Sequence, residues 1–191
     1  EYRRELSLDE AIGKVSYTSA GTHYLREYFA SRPDEVIVLR LSTPKAGKKL
    51  NFSVSLADGR PGTRQEITKD GILFRRKLDL LSYEAQLQVI NEGGTLVADS
   101  NKLCVNAANS VLILLTAATN YDLSSATYVG ETSGQLHKRL TDRLARASAK
   151  GYDQLKSTHL NDYQSLFNRV RFDLRTAAKT GGKIGMKTEI T

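Results

Sequence analysis

Five carboxylates stand out as groups that could do acid–base chemistry: Glu27, Asp122, Glu131, Asp153 and Asp162. A general acid or base works only when a reacting group lies within hydrogen-bonding reach. These five residues lie on different predicted elements, and nothing in their spacing brings two of them together. We interpret them as surface carboxylates, and we assign no catalytic residue in this chain.

The residue types that usually bind metals are equally dispersed. The histidines, His23, His137 and His159, are too far apart for a local metal motif, and Cys104 is the only cysteine. Alternation around Cys104 favours a small buried strand residue over a reactive thiol. No serine lies in a nucleophile-elbow pattern, and no glycine-rich loop has the spacing that binds phosphate. We therefore expect no metal and no cofactor.

Three tyrosines are candidates for contact with carbohydrate. Tyr17, Tyr24 and Tyr28 lie at alternating positions of predicted strands, with Phe29 beside them. Aromatic rings on a sheet face can stack on sugar rings, although packing in a core or an interface is the commoner reason for such tyrosines. The chain has no tryptophan, which argues against an independent carbohydrate-binding module built on indole platforms.

The chain carries a formal net charge of +7 over 191 residues, which permits attraction to polyanions. Its densest basic cluster lies on one predicted helix and consists of Lys138, Arg139, Arg143, Arg146 and Lys150. No aromatic residues interleave with this cluster and no nucleic-acid-binding motif accompanies it, so we interpret it as a solvated helix face. The longest apolar run, residues 111–118, is typical of a buried strand. We expect neither a nucleic-acid nor a membrane partner.

Alternating hydrophobicity predicts β-strands over the first two thirds of the chain. The clearest half-buried strand is residues 50–56, and the most apolar one, residues 110–119, is predicted to lie centrally between two sheets. Segments 83–90, 95–98 and 102–105 predict a meander of antiparallel neighbours that turns at Gly93 and Gly94. Residues 72–81 fit either a helical turn or a strand.

Beyond Tyr121 the hydrophobic period changes to about 3.6 residues. One predicted helix has an apolar stripe of Leu136, Leu140, Leu144 and Ala147, with Arg139, Asp142, Arg143 and Arg146 outside it. A second helix follows Gly151, and its inner side is predicted to hold Tyr152, Leu155, His159, Tyr163 and Leu166. Residues 169–174 predict a short strand. The fold class predicted is therefore mainly β, an antiparallel β-sandwich followed by two connector helices and a short strand.

Two stretches resemble the N-terminal β-sandwich domain of family 95 glycoside hydrolases, most of which are α-L-fucosidases. Residues 152–174 resemble the segment that closes that domain, through His159, Asp162, Tyr163, Leu166, Phe167, Arg169, Val170 and Leu174. Residues 2–42, which include the sequence REYFAS, are similar to the run of strands in the same domain. The resemblance spans most of the chain.

In that family a supersandwich-like N-terminal domain is joined through helices to an (α/α)6 barrel. The barrel supplies a glutamate as general acid, and an asparagine and an aspartate that hold the attacking water of an inverting mechanism. Motifs for these groups do not occur here. The resemblance therefore implies a non-catalytic fragment of an exo-acting fucosidase-like enzyme, inactive by itself, which begins within the sandwich and stops where the barrel would begin.

We divide the chain into a partial β-sandwich domain at residues 1–134, a helical connector with its closing strand at 135–174, and a flexible tail at 175–191. His159, Asp162 and Tyr163 are candidate contacts at the domain interface. His159 and Asp162 are three residues apart on a predicted helix, so they could face the same way and orient it against the sandwich or the barrel.

The partners that the resemblance implies are the catalytic barrel of the same polypeptide and, through the whole enzyme, a fucosylated or related glycan. It also favours a periplasmic or secreted location. Two alternative functions remain open: a free-standing carbohydrate-binding or scaffold module, and a polyanion-binding protein whose affinity would collapse with added salt. Related members of the family accept α-L-galactosides, so the sugar is left open as well.

Overall fold

The computed structural model of this chain describes residues 1–44, 49–171 and 189–190. The strands of this part are β1 (Tyr2–Ser7), β2 (Ile12–Ser19), β3 (Thr22–Ser31), β4 (Val36–Ser42), β5 (Leu50–Val54), β6 (Gln65–Ile67), β7 (Gly71–Lys77), β8 (Ser82–Glu92), β9 (Thr95–Asp99), β10 (Lys102–Ala108), β11 (Ser110–Thr119), β12 (Val170–Arg171) and β13 (Glu189–Ile190). A single helical element, α1 (Ser133–Phe167), lies between β11 and β12 in the described residues.

Two antiparallel sheets form most of the fold. The large sheet has eight strands in the order β1-β2-β3-β4-β11-β8-β7-β6, and the small sheet has three in the order β5-β10-β9. The apolar strand β11 lies inside the large sheet, where it pairs with β4 and β8. This arrangement confirms the predicted mainly β, antiparallel, sandwich-like class. β12 pairs with β13 outside both sheets.

Strand β11 contributes to two separate hydrophobic cores, because successive side chains of a strand point to opposite faces. Val111 and Ile113 belong to the core between the two sheets. Leu112 and Leu114 belong to a second core beneath α1. The helix residues of that second core are Leu144, Ala147 and Leu155. The large sheet is thus a middle layer, with the small sheet on one face and α1 on the other.

Helix α1 begins at a capping box. The Thr132 hydroxyl accepts a hydrogen bond from the Gln135 backbone N–H at 3.3 Å, and the Gln135 side chain accepts one from the Thr132 N–H at 2.8 Å. The prediction of two separate connector helices is not confirmed, because the structure has one 35-residue helical element; a kink with non-helical backbone at Gly151 divides it where the second helix was predicted to begin. Gly151 has φ 70° and ψ 172°, and glycine adopts a positive φ without steric cost.

The predicted meander is wrong at its first step. β9 pairs with β10, but β8 pairs with β7 and β11 in the large sheet. Gly93 and Gly94, with φ of 69° and 66°, turn the chain out of the large sheet and into the small one. The segment left open between helix and strand, residues 72–81, contributes strand β7.

Several predictions of burial also change. Cys104 is half-buried rather than buried, since its neighbours Leu103 and Val105 take the core side of β10. Leu166 is exposed and does not lie on the inner side of α1.

Of the predicted closing strand 169–174, the structure describes a strand at Val170–Arg171. Residues 172–174, and the predicted tail apart from β13, lie outside the described residues.

Candidate functional site

Three side chains near the end of α1 bind the turn between β1 and β2. We call His159, Tyr163 and Gln164 the helix latch. His159 Nε2 donates to the carbonyl oxygen of Glu10 at 2.9 Å, and the Tyr163 hydroxyl donates to that of Leu8 at 2.6 Å. The Gln164 amide donates at 3.1 Å to the carbonyl of the residue between them. Because the acceptors are consecutive backbone carbonyls, the latch fixes both the position and the rotation of the helix.

A run of stacked rings connects the latch to the core. The ring centroids of Phe29 and His159 are 4.7 Å apart, those of His159 and Tyr163 are 6.0 Å apart, and those of Tyr163 and Phe167 are 5.2 Å apart. Residues 159, 163 and 167 share one helix face because they are four positions apart. His159 is only 5% exposed. Its packing and its hydrogen bond leave it little access to a ligand.

Asp162 turns to a different neighbour. Its carboxylate lies 3.3 Å from Nη1 of Arg32, at the turn between β3 and β4. His159 and Asp162 therefore each contact the sandwich separately. Contact of His159, Asp162 and Tyr163 with a further domain stays a prediction.

The three tyrosines predicted to contact carbohydrate lie on the face of the large sheet opposite α1. Tyr17 and Tyr24 are register partners whose rings stack with centroids 5.0 Å apart, and Arg26 donates to the Tyr17 hydroxyl at 3.1 Å. A cleft of about 550 Å³ bordered by β5 is lined by Tyr17, Tyr24 and Arg26. The Tyr28 ring lies over Gly13, where a Cβ would clash with it. Their contact with carbohydrate stays a prediction.

Beneath α1, Glu27 on β3 is largely covered, so the predicted surface position is wrong for this carboxylate. Its carboxylate lies 3.3 Å from Lys156 Nζ. Burial, and then the charge of Glu27, raise the pKa of Tyr152. The Tyr152 hydroxyl oxygen is itself buried, without a hydrogen bond of ordinary geometry in the described part of the chain. Asp153, by contrast, is fully exposed as predicted.

Carboxylates neutralise most of the basic cluster on α1. The pairs are Lys138–Asp142, Arg139–Glu131, Arg143–Glu35 and Lys150–Asp34, at 2.5 to 2.7 Å. Arg143 is buried and also donates to the Thr116 hydroxyl at 3.2 Å, so the prediction of a fully solvated cluster is wrong for this residue. Charges that are already paired attract a polyanion less, which weakens the polyanion-binding hypothesis.

A buried carboxylate that the sequence pattern did not single out lies between β8 and α1. Glu84 is 2% exposed, and Oε1 accepts from His137 Nδ1 at 2.7 Å and from Gln86 Nε2 at 2.7 Å. Gln86 also contacts the Thr141 hydroxyl at 3.2 Å. The group joins strand to helix. Its signal in the sequence is the alternation of Glu84 and Gln86 along a strand whose apolar residues alternate with them.

A second feature that the pattern did not reveal is the loop between β11 and α1. It carries Tyr121 and Tyr128, which are 51% and 54% exposed, with near-parallel rings whose planes differ by 7°. In the same loop Asp122 accepts hydrogen bonds from the side chain and backbone of Ser124, which lower the pKa of its carboxyl group. The sequence signal is a pair of tyrosines flanking a turn rich in serine and threonine.

Two properties of the whole described part bear on function. Within residues 1–44, 49–171 and 189–190, no three His, Cys, Asp or Glu side chains cluster in a way that could hold a metal ion. In those same ranges no helix is long and apolar enough to span a bilayer.

Two curated proteins align with nearly the whole chain. Alpha-L-fucosidase 2 of Arabidopsis thaliana is 29% identical over 199 residues, covering 91% of this chain and 23% of that protein. The probable alpha-fucosidase A of Aspergillus niger is 27% identical over 186 residues, with the same two coverages. This chain thus spans 23% of the length of each of these relatives.

The fold also occurs in a solved structure, a putative kojibiose phosphorylase from the human microbiome. The TM-score is 0.61 at 12% identity, over 90% of this chain and 24% of that one, and this likeness concerns the fold alone. Residues 1–124 match the family described as glycosyl hydrolase family 65, N-terminal domain. The sheets that this match covers, and the fucosidase relatives, lead to one conclusion: the chain belongs to this family of N-terminal domains of glycosyl hydrolases.

Proposed function

We propose that this chain is the non-catalytic N-terminal domain of an inverting, exo-acting glycoside hydrolase of family 95 that removes α-L-fucose from glycans. The observation that carries the proposal is the alignment of two α-fucosidases over 91% of the chain, which spans only 23% of each relative. The remaining length of such an enzyme would supply the catalytic (α/α)6 barrel. The physiological role would be carbohydrate metabolism.

The surroundings of the carboxylates support a non-catalytic role. An inverting glycosidase needs two carboxyl groups about 6.5–9.5 Å apart, one protonated and one activating a water. Glu27, Asp34 and Glu131 are instead held by cations of α1, and Glu84 is buried against His137 and Gln86. These ion pairs and hydrogen bonds engage the carboxylates with side chains of α1, which gives them a structural role.

The helix latch suggests how the domain supports the barrel. It holds the end of α1 against the sandwich, so the last turn of the helix has a fixed position relative to the sheets. We propose that residues 1–134 are the sandwich unit and residues 135–174 the connector, with His159, Asp162 and Tyr163 at the interface. A rigid connector would limit movement of the catalytic domain relative to the sandwich.

The test is release of p-nitrophenol from the α-L-fucoside, measured in parallel on this chain and on the full-length polypeptide that contains it. We expect activity only in the full-length protein, and an NMR time course in which the β-anomer of fucose appears first, since inversion converts the α configuration to β. Activity of this chain alone would overturn the non-catalytic role. Release of the α-anomer first would overturn the inverting mechanism. Activity only on the α-L-galactoside would overturn the assignment of fucose as the sugar removed.

A free-standing carbohydrate-binding or scaffold module is the second candidate. The observation that favours it is the open cleft lined by Tyr17, Tyr24 and Arg26. The two candidates differ in what the isolated chain does with sugar. Retention of the folded chain on a fucose column, together with a full-length protein that hydrolyses no fucoside, would favour the second candidate over the first.

A further inference from the structure

The loop that joins β11 to α1 displays two tyrosines at one end of the sandwich. Tyr121 and Tyr128 are each about half exposed, and their ring centroids are 6.2 Å apart. Leu123, between them in sequence, is 74% exposed. Large aromatic side chains presented together on a surface mark an interaction site more often than isolated ones do.

Hydrogen bonds hold this loop in one conformation. The Asp122 N–H donates to the Tyr128 carbonyl at 3.0 Å, and the Tyr128 N–H donates to the Ser125 carbonyl at 2.9 Å. Tyr121 and Val129 form an isolated antiparallel bridge. A loop that is already ordered loses little conformational entropy when it binds a ligand, so the two rings are pre-organised.

Tyr128 adopts a backbone conformation that is unfavourable for its residue type. Its φ is 58°, in the left-handed region where glycine and asparagine are preferred and a bulky side chain is uncommon. Residues held in such conformations cluster at binding and catalytic sites. The fold therefore tolerates strain at the residue that places this ring beside Tyr121.

A cleft with polar side chains adjoins the loop; Asn120 and Val129, the sequence neighbours of Tyr121 and Tyr128, line it, and the two rings do not. A cleft of about 480 Å³ runs along the base of the loop and is lined by Lys77, Glu131 and Gln135, together with Leu80 and Val129. Flat apolar rings on a loop that also borders a polar cleft suit an oligosaccharide, because a pyranose has an apolar face of C–H groups and a rim of hydroxyls.

We propose that the Tyr121–Tyr128 loop is a carbohydrate-binding site, in which the tyrosine rings stack on a pyranose of an oligosaccharide and the adjoining cleft binds its hydroxyl groups. The site is separate from the cleft at Tyr17 and Tyr24. It does not depend on the proposed catalytic assignment, because binding would occur in this chain without a barrel.

The experiment is a titration of this chain with 2′-fucosyllactose, followed by isothermal calorimetry and by chemical-shift changes of loop amides. The variant is Tyr121→Leu/Tyr128→Leu, which keeps apolar side chains and the same strained backbone but removes the flat rings. We expect Kd to rise at least about tenfold, which corresponds to about 1.4 kcal/mol. The matched control, Leu123→Ser on the same loop, should change Kd by less than about twofold.

Three outcomes would overturn the proposal. One is the absence of saturable binding by the unmodified chain up to about 10 mM sugar. Another is unchanged sugar binding by the double-leucine variant together with loss of sugar binding in Tyr17→Leu, which would assign the sugar to the cleft at Tyr17 and Tyr24. The third is loss of sugar binding in Leu123→Ser while the double-leucine variant still binds the sugar, which would indicate a general apolar contact. Equal melting temperatures of all variants would show that each result reports binding and not unfolding.

Discussion

Tyr152 and His159 lie on the same side of α1 and show two ways in which a polar ring is buried. His159 is hydrogen-bonded through Nε2 to the Glu10 carbonyl, whereas the Tyr152 hydroxyl oxygen is buried without such a bond in the described part of the chain. The Arg40 guanidinium lies 4.5 Å from the Tyr152 ring centroid, and this cation–π contact offsets part of the free-energy cost of burying the hydroxyl. A buried hydroxyl without a partner costs free energy that a matched one does not.

We expect Tyr152→Phe to leave stability at pH 7 unchanged or to raise it by up to about 1 kcal/mol, because the ring stays and the unpaired hydroxyl is removed. The raised pKa of Tyr152 means that the fold favours the neutral phenol. The stability that comes from this difference in pKa between the folded and unfolded states is fully present below the unfolded pKa of about 10, and it is lost as pH rises beyond that value. The variant should therefore lose less stability than the unmodified chain between pH 7 and about pH 11.

Urea unfolding at the two pH values measures this difference, and Tyr2→Phe on the exposed Tyr2 is the control. A Tyr152→Phe variant that is destabilised by more than about 1 kcal/mol at pH 7 would show that the hydroxyl makes a stabilising hydrogen bond after all.

Helix α1 is attached to the sandwich along its whole length. Its N-terminal half buries Leu136, Leu140 and Leu144, and its C-terminal end carries the helix latch. Gly151 separates the two parts by a kink. Each part therefore needs its own attachment, because a kink allows the second part to change direction independently of the first.

His159→Ala should lower the free energy of unfolding by about 1–3 kcal/mol, since it removes the stack on Phe29 and leaves the Glu10 carbonyl without its donor. In the full-length polypeptide we expect the melting temperature to fall while turnover of the p-nitrophenyl fucoside changes little. Ser157→Ala, at an exposed position two residues away, should change neither quantity. A large loss of turnover at an unchanged melting temperature would contradict this structural role.

At the scale of the molecule, the middle layer is covered unevenly. The small sheet has three strands and the large sheet eight, and the strands β1 to β4 leave side chains exposed on the face opposite α1. Tyr2, Leu6, Tyr28 and Ile37 share that face by register and are 40% to 66% exposed. β1 is also an edge strand, whose unpaired backbone groups can pair with another chain.

We expect this chain, expressed by itself, to self-associate as its concentration rises, through the β1 edge and the exposed face beside it. Sedimentation velocity over a concentration series measures the effect. Leu6→Lys on β1 should shift the distribution toward the monomer, because it places a charge on the edge, whereas Leu166→Lys at the exposed end of α1 should not. A monodisperse, sharply melting monomer at all concentrations would count against this expectation.

What the sequence by itself determined is local. The nearly continuous apolar run at residues 110–119 identified a buried strand, and the 3.6-residue period identified the apolar stripe of α1, because both signals are local in sequence. Parity along β3 placed Tyr24 and Tyr28 on one face, and the register of β2 with β3 in the structure adds Tyr17 to that face. The segment around His159 and Tyr163 was recognisable as a helix, whereas its contact with the sandwich comes from the structure.

What only the tertiary structure decided is which segments become neighbours. Pairing of β8 with β7 and β11 rather than with β9 depends on strands distant in sequence, and no local pattern encodes that choice. The burial of Arg143 follows from Glu35 and Thr116 arriving beside it, and the burial of Glu84 follows from His137. The ring pair of Tyr121 and Tyr128 exists because the loop folds back on itself. The periodicity of apolar residues in the sequence determines which face of a strand or helix a side chain occupies. The free energy of burial depends on what packs against that face.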